Sequence, residues 1–392
     1  MGNFAPPPVQ FLRGSGTELW DSDDKRYLDF LGGLAVVSLG HSHPEVSEAI
    51  ARQARTLLHV SSLYATEHAW HVAVGIDRHV GATRGPGGNP AGQVFFCNSG
   101  AEAVEAAMKL ARKWAGYGRY GVVTTYGSFH GRTLATLAAT GQPTKHEPFA
   151  PMPEGFRHVA LDDVDALHNA VDETTAAIML ESIQGEGGVN PASGEFLAAA
   201  RQLADERGLL LILDEVQTGL CRTGRWFGYQ HYGVEPDVVC LAKALGNGVP
   251  IGALWARADV AGSFVPGDHG STYSGQPLAT AAARAVLQVM ERDRLDERAE
   301  RVGAVLRDRL CGLDEVSSVR GAGLLLAAEL VDHNGPAVAA ACLEAGLVVN
   351  GVTPTSLRLA PPLTVAEGEI DEAMDILVSV LAQVPVASST GT

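Results

Sequence analysis

The chain has 392 residues, enough for about two domains sharing one extended core, and its 46% apolar and 19% charged content is that of a globular protein rather than a disordered one. Its 29 basic and 45 acidic residues leave a net charge of −16, a field that argues against nucleic-acid and membrane-surface binding while leaving room for a local cationic pocket. The five cysteines (Cys97, Cys221, Cys240, Cys311, Cys342) have neither zinc-knuckle nor redox spacing, no run is long enough to span a bilayer, and Met1 to Phe11 lacks an apolar signal core, so a reduced, cytoplasmic setting is expected.

In chain order, Thr17–Trp20 and Tyr27–Phe30 flank the polar turn Asp21-Ser22-Asp23-Asp24, which predicts a hairpin. Pro44 suits the first position of a helix that continues through Ile50 and Leu57. From about residue 93 to 255, short apolar runs alternate with amphipathic stretches. Val94–Phe96, Gly121–Thr124, Ala177–Leu180, Leu209–Leu213 and Val238–Leu241 read as buried strands, with helical patterns such as Ala101–Trp114 and Gly194–Arg207 between them. Apolar runs without polar alternation, separated by helices, predict an α/β fold with a mostly parallel sheet covered on both faces. From about residue 284, Ala- and Arg-rich helices precede Gly321-Ala322-Gly323 and Leu357-Arg358-Leu359, which predicts a smaller α+β unit. The expected division is an N-terminal segment over residues 1–45 joining the small domain, a large domain over 46–283 and a small domain over 284–392.

In open α/β sheets ligands bind beyond the carboxyl ends of the strands, and the polar clusters fall there. Leu209–Leu213 leads to Asp214 and Gln217, Ala177–Leu180 to Glu181 and Glu186, Val238–Leu241 to Lys243, and Gly121–Thr124 to Phe129 and Arg132. Lys243 is open to two readings: a surface lysine with a snorkelling stem, or a desolvated amine of lowered pKa able to condense with an aldehyde. Asp214 is either half of a structural salt bridge or the partner of a protonated pyridine nitrogen, the recurring device of pyridoxal phosphate enzymes. Ser99-Gly100-Ala101, between a strand and a helix, suits an ordinary N-cap with Glu102 in a capping box, a phosphate cradle, or both. Phe129, between two glycines, is either core or a stacking surface for a planar ring. Arg132 and Arg358 are structural ion pairs or carboxylate forks. The histidines at 41, 43, 68 and 71 fit loop and capping roles better than a metal site.

Together, Phe95 to Ala103, Phe129 to Thr133, Gln184 to Val189, Leu213 to Gly219, Leu241 to Gly246, His269 to Thr272 and Leu357 to Pro362 resemble the class III aminotransferases of the ω-amino acid type, over about Pro7 to Leu363. The resemblance implies a fold type I transferase with a seven-stranded-type sheet and a large domain that binds pyridoxal 5'-phosphate. It implies that Lys243 holds the cofactor and shuttles the proton, Asp214 keeps the ring nitrogen protonated, Gln217 bonds the ring oxygen and Phe129 stacks on the ring. Ser99, Gly100 and Ala101 would cradle the phosphate, and Thr272 would reach the phosphate bound in a neighbouring subunit, making the site that of a homodimer. Arg132 would take the donor's α-carboxylate and Arg358 that of 2-oxoglutarate, with Glu186 masking Arg358 while the donor amine enters and Ser271 near the substrate. No metal is implied. The expected reaction moves the terminal amine of N2-acetyl-L-ornithine to 2-oxoglutarate, because Leu34 stands where ornithine-using members usually carry tyrosine. Ornithine, succinylornithine and 4-aminobutyrate are the alternative donors, and a glutamate-1-semialdehyde-type aminomutase the alternative reaction. A third reading, a nucleotide-binding module, rests on Gly321-Ala322-Gly323. Val104, Asn247, Ser274 and Gln276 depart from the family pattern, and the last two, which flank the Ser271-Thr272 turn, bear on substrate preference.

Overall fold

The computed structural model describes residues 1–3, 5–80 and 91–385. Its centre is a seven-stranded sheet in the order Gly92–Cys97, Gly252–Arg257, Val238–Leu241, Leu210–Asp214, Thr175–Leu180, Gly121–Thr125 and Phe156–Val159. All strands run in one direction except Gly252–Arg257, which is antiparallel to both neighbours. Thr175–Leu180, Leu210–Asp214 and Val238–Leu241 are buried throughout, as expected of strands covered on both faces. One face packs against the helix Gly100–Ala115, whose Ala103, Ala106, Ala107 and Leu110 are fully buried. The helix Gly194–Arg207 packs on the other through Phe196, Leu197 and Leu203.

The N-terminal hairpin forms at Glu18–Asp21 and Arg26–Asp29, and the latter strand pairs in parallel with Leu347–Val348, tying the first residues to the C-terminal part of the chain. A separate antiparallel sheet, in the order Val316–Ala322, Leu325–Leu330, Ser356–Leu359 and Asn350–Gly351, completes that part. The helix that starts at Pro44 stops at Thr56; Leu57 is already extended. Gly321 and Ala322 end one strand of an antiparallel hairpin whose turn is Gly323-Leu324, and a second strand rather than a helix follows. A dinucleotide-binding loop needs a helix N-terminus at that point, so the nucleotide-binding reading fails.

The fully buried Arg222 joins the two parts. Its Nη1 donates to the carbonyls of Leu324 (3.0 Å) and Pro361 (2.6 Å), and its Nη2 to Ser38 Oγ at 2.9 Å. It satisfies three acceptors brought together from three distant segments.

Candidate active site

The carboxyl ends of the parallel strands open onto a cavity of about 400 Å³. Because Gly252–Arg257 runs the other way, its leading residues Pro250 and Ile251 reach the same rim and complete the wall. Ser99, Gly100, Ala101, Phe129, Arg132, Glu186, Asp214, Gln217 and Lys243 all line it.

Asp214 is the last residue of its strand and is buried. Its Oδ1 accepts from the backbone N–H of Val216 at 3.2 Å, and its Oδ2 accepts from His130 Nδ1 at 2.9 Å. Burial alone would push the imidazole of His130 down, but the hydrogen bond to Asp214 prevails and raises it. Lys243 opens a single 3-10 turn at φ +44°, a left-handed conformation that is costly for a side-chain-bearing residue and is held here by the surrounding packing. Lys243 lines the cavity, and burial pushes its amine down to about 8, with Glu186 opposing and Arg358 pushing the same way. About a tenth of such an amine is free base at pH 7, a few hundred times the share of an ordinary lysine.

At the opposite end the helix Gly100–Ala115 presents its first turn. Ser99 Oγ accepts from Glu102 N–H at 3.3 Å, and Glu102 Oε2 accepts from the backbone and side-chain nitrogens of Asn98 at 2.9 and 2.8 Å. The amides of Gly100 and Ala101 are first-turn donors without intrahelical acceptors, aimed with the helix dipole at the cavity. The capping and anion-cradle readings therefore coexist.

Arg358 does not line the cavity; it stands behind the wall, 1% exposed. Its Nη1 donates to Glu186 Oε1 at 2.6 Å, Gly185 O at 3.1 Å and Gln217 Oε1 at 3.2 Å, and its Nη2 donates to Asn350 Oδ1 at 3.0 Å. Burial pushes the Glu186 carboxyl up, but Arg358 outweighs it and holds it below the ordinary glutamate range. Gly185 is required sterically: a Cβ there would sit 1.9 Å from Gln217 Oε1. Ser271 Oγ accepts from Asn98 Nδ2 at 3.0 Å, whereas Thr272 is exposed on the surface and does not line this chain's cavity.

The sequence assigns no role to His130 or to Glu181, although both stand in its polar clusters. His130 lies within the Phe129–Arg132 segment, and only packing reveals its bond to Asp214. Glu181 is the first residue after an apolar strand, the same signal that marked Asp214. It accepts from Phe129 N–H at 2.9 Å and Gly185 N–H at 3.4 Å, and burial raises its carboxyl to about 7. Leu34 is exposed and lies outside the wall, which takes Val36 instead. The four departures have structural roles: Val104 is helix core, Asn247 bonds Leu39 N–H and Gly40 O, Ser274 donates to Phe96 O, and Gln276 caps a helix through Leu278 N–H. His41 Nε2 donates to Asp29 Oδ2, and His68 pairs with Gln53.

A buried carboxylate, an amine of lowered pKa and a helix N-terminus around one cavity are the features of a pyridoxal phosphate enzyme, and the sheet places them as fold type I transferases do. The class III aminotransferase family model matches residues 3–381, and the chain belongs to that pyridoxal phosphate-dependent family. It is 48% identical to the acetylornithine aminotransferase of Caldanaerobacter subterraneus, over 98% of this chain and 97% of that one. Among solved structures it is similar to the N-acetylornithine aminotransferase of Stenotrophomonas maltophilia (34% identity, TM-score 0.82, 96% of each chain). It is also similar to the ornithine aminotransferase of Toxoplasma gondii, described with pyridoxal phosphate at partial occupancy in its active site (36% identity, TM-score 0.88, 97% and 92% covered).

Proposed function

We propose that the protein transfers the terminal amino group of N2-acetyl-L-ornithine to 2-oxoglutarate, giving N-acetyl-L-glutamate 5-semialdehyde and L-glutamate, a step of arginine biosynthesis. The observation that carries this reading is the Glu186–Arg358 pair at 2.6 Å beside Lys243. It gives one cavity a masked and an unmasked state, suited to a cationic amine donor and a dianionic keto acid in turn. The acetylornithine aminotransferases among the relatives, at 44–48% identity over nearly the whole chain, support the choice of donor.

The residues present suit pyridoxal 5'-phosphate, which supplies an aldehyde and an electron-withdrawing ring when bound. Lys243 would be the amine that holds it and, as free base, would accept the proton released by the donor carbon. Asp214, supported by His130, keeps the ring nitrogen protonated, Phe129 covers a ring face, Gln217 meets the ring oxygen, and Ser99, Gly100 and Ala101 receive the phosphate. Arg132 anchors the donor carboxylate from the exposed side of the cavity. Arg358 receives the keto acid once Glu186 swings away, and Ser271 lies near the substrate.

The working unit in this reading is a homodimer in which Thr272 of one subunit completes the phosphate site of the other. Exposed apolar side chains support it: Leu63 is 85% and Trp70 63% exposed, and His59 packs on Tyr273, next to Thr272, with ring centroids 5.4 Å apart. A cytoplasmic setting agrees with five free cysteines. Among the described residues no helix is long and apolar enough to cross a membrane. The test is glutamate formation from 2-oxoglutarate with N-acetylornithine, ornithine, succinylornithine and 4-aminobutyrate as separate donors. Preference for N-acetylornithine supports the assignment, and absence of glutamate with that donor overturns it. Isomerisation of glutamate 1-semialdehyde without 2-oxoglutarate would establish the aminomutase instead.

A further inference from the structure

Two cations stand over the ring of Phe129: the guanidinium of Arg132 with Cζ 5.4 Å from the ring centroid, and the ammonium of Lys145 with Nζ at 5.3 Å. Phe129 and Arg132 line the cavity, and Lys145 ends the short 3-10 turn Pro143–Lys145 that packs beside them. Neither cation makes a hydrogen bond or ion pair with another described side chain, although 22 salt bridges form among the described residues. That is unusual in a chain with net charge −16, where acidic partners are plentiful. Lys145 is half-buried, and burial together with the neighbouring Arg132 lowers its pKa, with Glu186 opposing. Two like charges held close without a counterion cost free energy that an incoming anion recovers. A face-on ring cannot neutralise them, since a cation–π contact at a half-exposed site is worth only about 0.5–1 kcal/mol.

We infer that Lys145 is a specificity-determining residue that shares with Arg132 the binding of a substrate carboxylate. The planar fork of Arg132 sets the carboxylate's orientation, and the mobile point charge of Lys145 adds attraction and a further donor from the second side. The inference deepens the transaminase reading and rests on it for the location of substrate. It explains why the cavity leaves two cations unpaired at this rim while Arg358, behind the wall, is neutralised by Glu186.

The test uses the holoenzyme with Lys145→Met and Lys145→Arg and two donors: N2-acetyl-L-ornithine, and N-acetyl-1,4-diaminobutane, which has the same amine and amide but no carboxylate. Lys145→Met is expected to lower the ratio of kcat/KM for the first donor over the second about tenfold, chiefly through KM, and Lys145→Arg to restore the ratio to within about threefold. A ratio within twofold of wild type in Lys145→Met, or equal damage by both substitutions, overturns the inference. Glutarate binding to the same proteins separates this outcome from the donor assignment. About tenfold weaker glutarate binding in Lys145→Met upholds the role of Lys145 even if N-acetylornithine is not a donor. Unaltered glutarate affinity refutes it even if N-acetylornithine is turned over.

Discussion

Removing the Arg358 guanidinium separates the two half-reactions. Arg358 is 1% exposed, and in the resting arrangement its Nη1 contacts Glu186, Gly185 O and Gln217. When Glu186 leaves, those nitrogens are free to fork a carboxylate, and each charge-assisted hydrogen bond so made contributes about 1.5–3 kcal/mol. After the cost of desolvating the keto acid, a net loss of about 3–4 kcal/mol is expected for Arg358→Ala, or roughly 100- to 1000-fold in kcat/KM of the 2-oxoglutarate half-reaction. The amine-donor half-reaction keeps Arg132 and should fall less than about tenfold. Glu186→Ala should act in reverse: the unmasked Arg358 repels the donor's ammonium, slowing the amine half-reaction about tenfold while sparing the keto acid half. Single-turnover measurements of each half-reaction, followed by cofactor absorbance, report the two constants separately. Equal losses in both halves for either variant would refute the proposal that Glu186 switches Arg358 between masked and free states.

Lys243→Ala should abolish turnover while leaving the fold intact, and borohydride reduction of the native protein followed by peptide mapping should label Lys243; a label on another lysine contradicts its role. Because the lysine reacts as free base and burial lowers it to about 8, capture of pyridoxal phosphate by the apoprotein should accelerate as pH rises from 7 to 9, centred near 8. A rise centred beyond pH 10 would mean an ordinary, solvated lysine. Arg222→Met should cost about 3–5 kcal/mol of stability, read as a lowered denaturant midpoint, since it strands Leu324 O, Pro361 O and Ser38 Oγ in the interior. A loss under about 1 kcal/mol would show that water replaces the guanidinium.

The central strands were legible in the chain itself because strands buried on both faces are apolar along nearly their whole length, as Ala176–Leu180 and Leu210–Leu213 are. The residues of the site were legible for a related reason. A charged group at or just beyond the end of such a strand is costly to bury without a partner, which draws attention to Asp214, Glu181 and Lys243. Strand direction was not legible. Gly252–Arg257 is as buried as its parallel neighbours, and its reversal depends on how the chain turns back after Lys243 rather than on its composition. Nor was Leu34's absence from the wall foreseeable: left-handed backbone at Gly33, Leu34 and Ala35 turns that side chain outward and leaves Val36 facing the cavity. Partnership and burial came entirely from packing. Glu186 meets Arg358 across 172 positions of chain, His130 meets Asp214 across 84, and Lys145 comes to rest over Phe129 with no counterion among the described residues. Residue type sets what a group is able to do, but its pKa and its partner depend on how much water and which charges surround it, and folding alone settles those.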